Sequence, residues 1–133
     1  MALPSIGGGE QIGDGNLNEL KLGYMAAPQT ATATATLTAA QITGNILVGN
    51  PSTSAAAYTL PTVAALEAVL TNAKIGSTFD LIVVNLGTSS GVITMTTNTG
   101  WTLSGLATIA VTTSAQYRAR KTGVGAWTLY TIG

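Results

Sequence analysis

Four groups of residues in this 133-residue chain have types and spacing that chemistry could use. "GGGEQIGDG" (residues 7–15) is glycine-rich, as a phosphate cradle is. It has no strand pattern before it, and it lacks the Gly-Lys-Ser/Thr ending whose lysine and hydroxyl would hold phosphate and metal. "IGDGN" (residues 12–16) offers one carboxylate, Asp14, and one acid falls short of the roughly six to eight oxygens a hard cation wants. A turn closed by the Asp14 and Asn16 side chains accounts for the same residues. A pair of carboxylates for glycoside cleavage would have to come from Glu10, Asp14, Glu19, Glu67 and Asp80. Three of these lie in the first 27 residues, Glu67 is expected on the solvent side of a helix, and Asp80 stands alone. Serine and threonine abound, but there is no histidine to act as base, no cysteine, and no "GxSxG" elbow. The expectation is a protein that is not an enzyme, with no catalytic residues, no cofactor and no metal site.

The fourth group is "YRARK" (residues 117–121). On a strand, Arg118 and Arg120 share one face, and Tyr117, Ala119 and Lys121 share the other. A nucleic-acid surface needs an excess of positive charge, whereas five cations and five acids cancel here. No nucleic-acid partner is expected. The cluster reads either as a solvated strand end or as cations paired with the acids of an arm, from this chain or from a neighbour. Trp101 and Trp127 read as core or interface anchors, with sugar stacking as the alternative.

These residues must be positioned by a chain that is 8% charged, against about 25% in an ordinary soluble domain. No apolar run approaches the roughly 18–20 residues of a spanning helix, and "MALPSIGGGE" has neither the basic start nor the apolar stretch of a secretory signal. No membrane partner is expected. Strand edges are ordinarily guarded by Lys, Glu or Pro, yet no charged residue lies between Leu81 and Tyr117. That points to edges covered by partner chains.

Two regions separate along the chain. Residues 1–27 are rich in glycine and turn formers, carry Glu10, Asp14, Glu19 and Lys21, and have too few large apolar residues for a core. They read as an N-terminal arm that orders against another surface. Residues 28–133 read as a β-rich domain. It begins with "TATATATLTA" (residues 30–39), where threonine alternates with Ala31, Ala33, Ala35 and Leu37. The threonine face is a hydroxyl ladder. The opposite face is smooth enough for another backbone to approach, so Ala31, Ala33, Ala35 and Leu37, with Arg118 and Arg120, are candidate subunit-interface residues.

Short strands are expected around residues 46–48 and 57–60. One helix is expected over residues 62–73, with Val63, Leu66, Val69 and Leu70 as its apolar stripe. After Gly76 the pattern is β throughout. "TFDLIVVNL" reads as a central strand covered on both faces, and "GVG" as the turn of a terminal hairpin. Turn signals roughly every 8–12 residues predict a mainly β fold, a sandwich or barrel with one short helix.

The order of several motifs resembles that of small tailed-bacteriophage virion surface proteins, the head-decoration (cement) and head-fibre proteins. These motifs are "QIGDGN", "LTAAQITGNILVGNPSTSAAAYTLPT", "NAKIGSTFDLIVVNLG", "GWTLSG" and "YRARKTGVGAWTLY". The resemblance implies a trimeric structural protein on the outer capsid surface that clamps neighbouring copies of the major capsid protein. It also implies that the arm lies against the shell, with Ile12, Gly13, Asp14, Gly15, Asn16 and Leu17 as candidate contacts. The alternative is a host-surface or glycan receptor-binding module of a fibre, using Trp101, Trp127 or Tyr130 on an exposed face.

Overall fold

The structure, a computed structural model, describes residues 22–133. Residues Ile12 to Leu17 of the expected arm therefore lie outside the described residues. Ten strands and two short helices occur among those described, and the fold is mainly β. The strands are β1 (Gln29–Ala31), β2 (Ala35–Thr36), β3 (Ile46–Gly49), β4 (Ala56–Thr59), β5 (Thr78–Asn85), β6 (Ile93–Thr96), β7 (Trp101–Ser104), β8 (Thr108–Ile109), β9 (Ser114–Gly123) and β10 (Ala126–Thr131). The helices are α1 (Ala39–Thr43) and α2 (Val63–Val69).

They form a six-stranded sheet in the order β1-β3-β5-β9-β10-β7 and a four-stranded sheet in the order β2-β4-β6-β8. Up to β6 the chain changes sheet at every strand. β1, β3 and β5 pair in parallel in one sheet, and β2, β4 and β6 pair in parallel in the other. Parallel neighbours need a crossover. Here each crossover is a visit to the opposite sheet, so residues 29–96 wind as three turns of a two-sheet coil. The pattern then reverses: β9 runs antiparallel to β5, β8 antiparallel to β6, and β10 returns from β9 through a hairpin whose Gly125 has φ +65°.

Alternation along the strands sends Leu47, Leu81, Val83, Tyr117, Ala119, Trp127 and Leu129 from the larger sheet into one buried cluster. Tyr58, Ile93, Met95 and Ile109 of the smaller sheet join it. The approach is close at Gly49, where an added Cβ would stand 2.6 Å from Ile93 Cδ1 and 2.9 Å from the Tyr58 ring. Tyr58 itself is satisfied, its hydroxyl donating to Thr32 O at 2.8 Å. Tyr117 differs. It is fully buried, its hydroxyl has no hydrogen-bond partner among the described residues, and burial pushes its pKa up to about 12. Because an unsatisfied buried hydroxyl costs about 1–3 kcal/mol, Tyr117→Phe is expected to raise the urea midpoint of unfolding. A lowered midpoint would mean that the hydroxyl has a function in the fold.

Three expectations are corrected. The long Thr/Ala strand is two strands, β1 and β2, in different sheets, because the chain leaves one sheet at residues 32–34 and enters the other. There are two helices among the described residues, and the first is only five residues long, closed by a reciprocal cap between Thr38 and Gln41. In α2, Val63 and Leu66 are buried, but Val69 is 58% exposed and Glu67 is partly buried. Residues 63, 66 and 67 form the inward stripe at 3- and 4-residue spacing, which leaves residue 69 outside it.

Candidate interaction surfaces

The charged side chains of the described residues are few and gathered. Glu67 is on α2, Lys74 follows it, Asp80 is on β5, and Arg118, Arg120 and Lys121 are on β9. Strands β5 and β9 are neighbours with Asp80 opposite Arg118, so the pair closes across them. Arg118 donates through Nε to Asp80 Oδ1 at 2.7 Å and through Nη2 to Oδ2 at 3.2 Å, the two-pronged geometry that suits a guanidinium and a carboxylate. On the opposite face of β9, Lys121 donates to Glu67, whose Oε1 also accepts from Trp127 Nε1 at 3.2 Å. Two of the "YRARK" cations are thus paired with acids of the β domain itself. The acids they use, Glu67 and Asp80, are the two expected to be solvent-facing and alone.

Hydrogen bonds from Lys121 and Trp127 hold the Glu67 carboxyl below the usual carboxylate range, and the Arg118 hydrogen bonds do the same for Asp80. The folded chain therefore takes up protons on these groups less readily than the unfolded chain. The stability they add is complete above the ordinary carboxylate value of about 4 and is lost as pH falls through the lowered values. With no histidine in the chain, the thermal midpoint is expected to be level from about pH 8 to about pH 5 and to drop below about pH 4. Glu67→Gln should shrink that drop. An equal drop in the variant would exclude Glu67 as a source.

The predicted interface residues fall in different settings. Ala31 is half-buried against its own core, Ala33 and Ala35 are exposed, and Leu37 is 2% exposed within its own chain. Leu37 is therefore a core residue in this structure, because α1 and the end of β2 close over it. Arg118 and Arg120 are exposed, and Arg118 is already engaged by Asp80. Trp101 and Trp127 are both buried. Trp101 Nε1 donates to Pro61 O at 2.7 Å, and the two rings lie 6.1 Å apart. Neither offers a face to a sugar. Tyr130 is exposed on the outer face of the larger sheet, opposite Arg118.

A shallow cleft of about 290 Å³ lies between the end of α2 and β5, lined by Leu70, Ala73, Phe79 and Trp127 among others. Thr71, Asn72, Ser77 and Thr78 supply its polar groups, and it holds no titratable side chain. Among the described residues no group of three or more His, Cys, Asp or Glu comes together. No helix among them is long and apolar enough to cross a membrane.

The second apolar face that "TFDLIVVNL" marks on β5 continues onto β3, where sequence reasoning did not place it. Ile46 pairs with Ile82 and Val48 with Val84, all four half-buried on the side opposite Leu47, Leu81 and Val83. The signal was present in "LIVV", which is apolar at every position. Among the described residues neither helix turns its buried side chains to this face, since Ile42 of α1 and Leu66 of α2 go into the cluster between the sheets. No family model matches the chain, and no curated protein and no solved structure matches it either.

Proposed function

We propose that this chain is a structural protein of a bacteriophage virion. In this reading a two-sheet sandwich associates as a trimer and decorates the outer capsid surface, binding across neighbouring major capsid protein subunits with its N-terminal arm against the shell. The observation that carries the reading is the placement of charge. In residues 22–133 every charged side chain lies on α2, on the loop after it, or on β5 and β9, and the edge strands β1, β2, β7 and β8 have none. Edges bare of charge invite pairing, and closed symmetry is a way to bury them. The motif order that resembles phage head-decoration and head-fibre proteins supplies the setting. Weak contacts made by many copies across a shell add up through multivalency.

The test is co-sedimentation of the purified protein with cognate mature shells that lack it. Saturable binding is expected, and removal of residues 1–21 should weaken it by ~10-fold or more while the oligomer persists. Full decoration by the truncated chain would overturn the role of the arm. A protein that never associates with shells would overturn the reading itself. The receptor-binding alternative loses Trp101 and Trp127 as exposed platforms and would have to be built around Tyr130.

A further inference from the structure

Two apolar surfaces lack partners among the described residues, and their dimensions agree. The first is the outward quartet Ile46, Val48, Ile82 and Val84. It forms two cross-strand rows on a stripe two strands wide, and none of the four packs against the core cluster. Rows on one face of a strand are about 6.6 Å apart, and neighbouring strands about 4.8 Å. The Asp80–Arg118 pair borders the stripe in the next row, with Gln116 beside Ile82. The second surface is the segment leading into β1. Residues 22–28 belong to no helix or strand, and Leu22 is 84% exposed, Tyr24 96% and Met25 41%. In an extended chain Leu22 and Tyr24 point to the same side, again about 6.6 Å apart.

We propose that residues 22–27 of one copy lie extended across the β3–β5 face of a neighbouring copy, with Leu22 and Tyr24 seated on the Ile46/Ile82 and Val48/Val84 rows. Within one chain the two surfaces do not meet, since Leu22 and Tyr24 stay exposed. A second copy supplies both surfaces in the right chemistry, with no charge on either side of the contact. The stripe suits a single strand rather than a whole sheet. A sheet laid flat over this face would also cover the Asp80–Arg118 pair and take an ion pair out of water, which is costly, whereas one extended segment fits beside it. Twenty-one further residues precede residue 22, so the contacting segment is internal to the chain. Arm-to-face contact joins two different patches, and such contacts close into a ring when the rotation permits. The inference rests on the self-association in the reading above and is independent of the shell.

The chain has no cysteine, so a Tyr24→Cys/Val84→Cys variant of the full chain carries two unique thiols. Treated with a short bismaleimide, it is expected to run on a denaturing gel as covalent dimer and closed trimer. Cross-linking only within the monomer, or none, would overturn the proposal. In parallel, Leu22→Ser/Tyr24→Ser is expected to weaken self-association by ~10-fold or more by light scattering, with the thermal midpoint of the monomer unchanged because both residues are exposed. Undiminished association would overturn the proposal, as would a wild-type chain that stays monomeric. Cross-linked trimers that fail to bind shells would instead sink the capsid reading and leave this contact standing.

Discussion

Asn85→Asp is expected to lower the stability of the domain by about 3–5 kcal/mol at neutral pH, although it changes a single terminal group. Asn85 is fully buried at the end of β5. Its Nδ2 donates to Gly91 O at 2.9 Å, Ile109 O at 3.0 Å and Ala110 O at 3.2 Å, while its Oδ1 accepts from Gly87 N at 2.7 Å. One side chain thus ties the loop after β5 to the end of β8. The tie also holds the turn into β9, where Thr112 sits at φ +56°, a conformation that a β-branched residue adopts at a cost. An aspartate keeps the shape and the Gly87 contact but turns the donating group into a buried negative acceptor facing three carbonyls. Asn85→Leu removes both roles and is expected to cost a similar amount. Urea unfolding of the two variants checks this. A loss under ~1 kcal/mol for Asn85→Asp would mean that water replaces the amide and that the hub is not structural.

The second large effect is at Trp127. Its ring is 1% exposed, 5.6 Å from Phe79 and 6.1 Å from Trp101, and its N–H meets Glu67. Trp127→Ala opens a cavity where β10, β5, β7 and α2 converge and should cost about 3–5 kcal/mol. Trp127→Phe keeps an aromatic in place and loses chiefly the N–H contact and part of the volume, for about 1–2 kcal/mol. The pair of variants decides between the two roles the sequence left open. A core residue destabilises the single chain, whereas an interface anchor would leave the chain folded and dissolve the oligomer. Circular dichroism melting at low concentration reads the first, and light scattering reads the second.

Much of the strand pattern was legible. "TFDLIVVNL", "GWTLSG" and "AWTLYTI" coincide with β5, β7 and β10 to within a residue or two, because alternation and turn residues mark strands locally. Which sheet a strand joins is not local information. Residues 30–38 keep their alternation through the crossover at 32–34, so the sequence reads as one strand where the fold has two. The short α1 was missed because five residues give no periodicity. Its Thr38/Gln41 cap, spaced as a capping box, was the signal available. Glu67 and Asp80 were read as isolated since their partners, Lys121 and Arg118, lie far along the chain on a strand that returns antiparallel. Nothing in "TFDLIVVNL" singles out Asn85, and only the convergence of two distant turns on its amide gives it a role.

The coil that occupies residues 29–96 has an order built into it. β1 pairs only with β3, and β2 only with β4, whereas β5 is flanked on both sides. The first winding therefore has one hydrogen-bonded neighbour in each sheet where the later windings have two, and its backbone amides are expected to exchange before theirs.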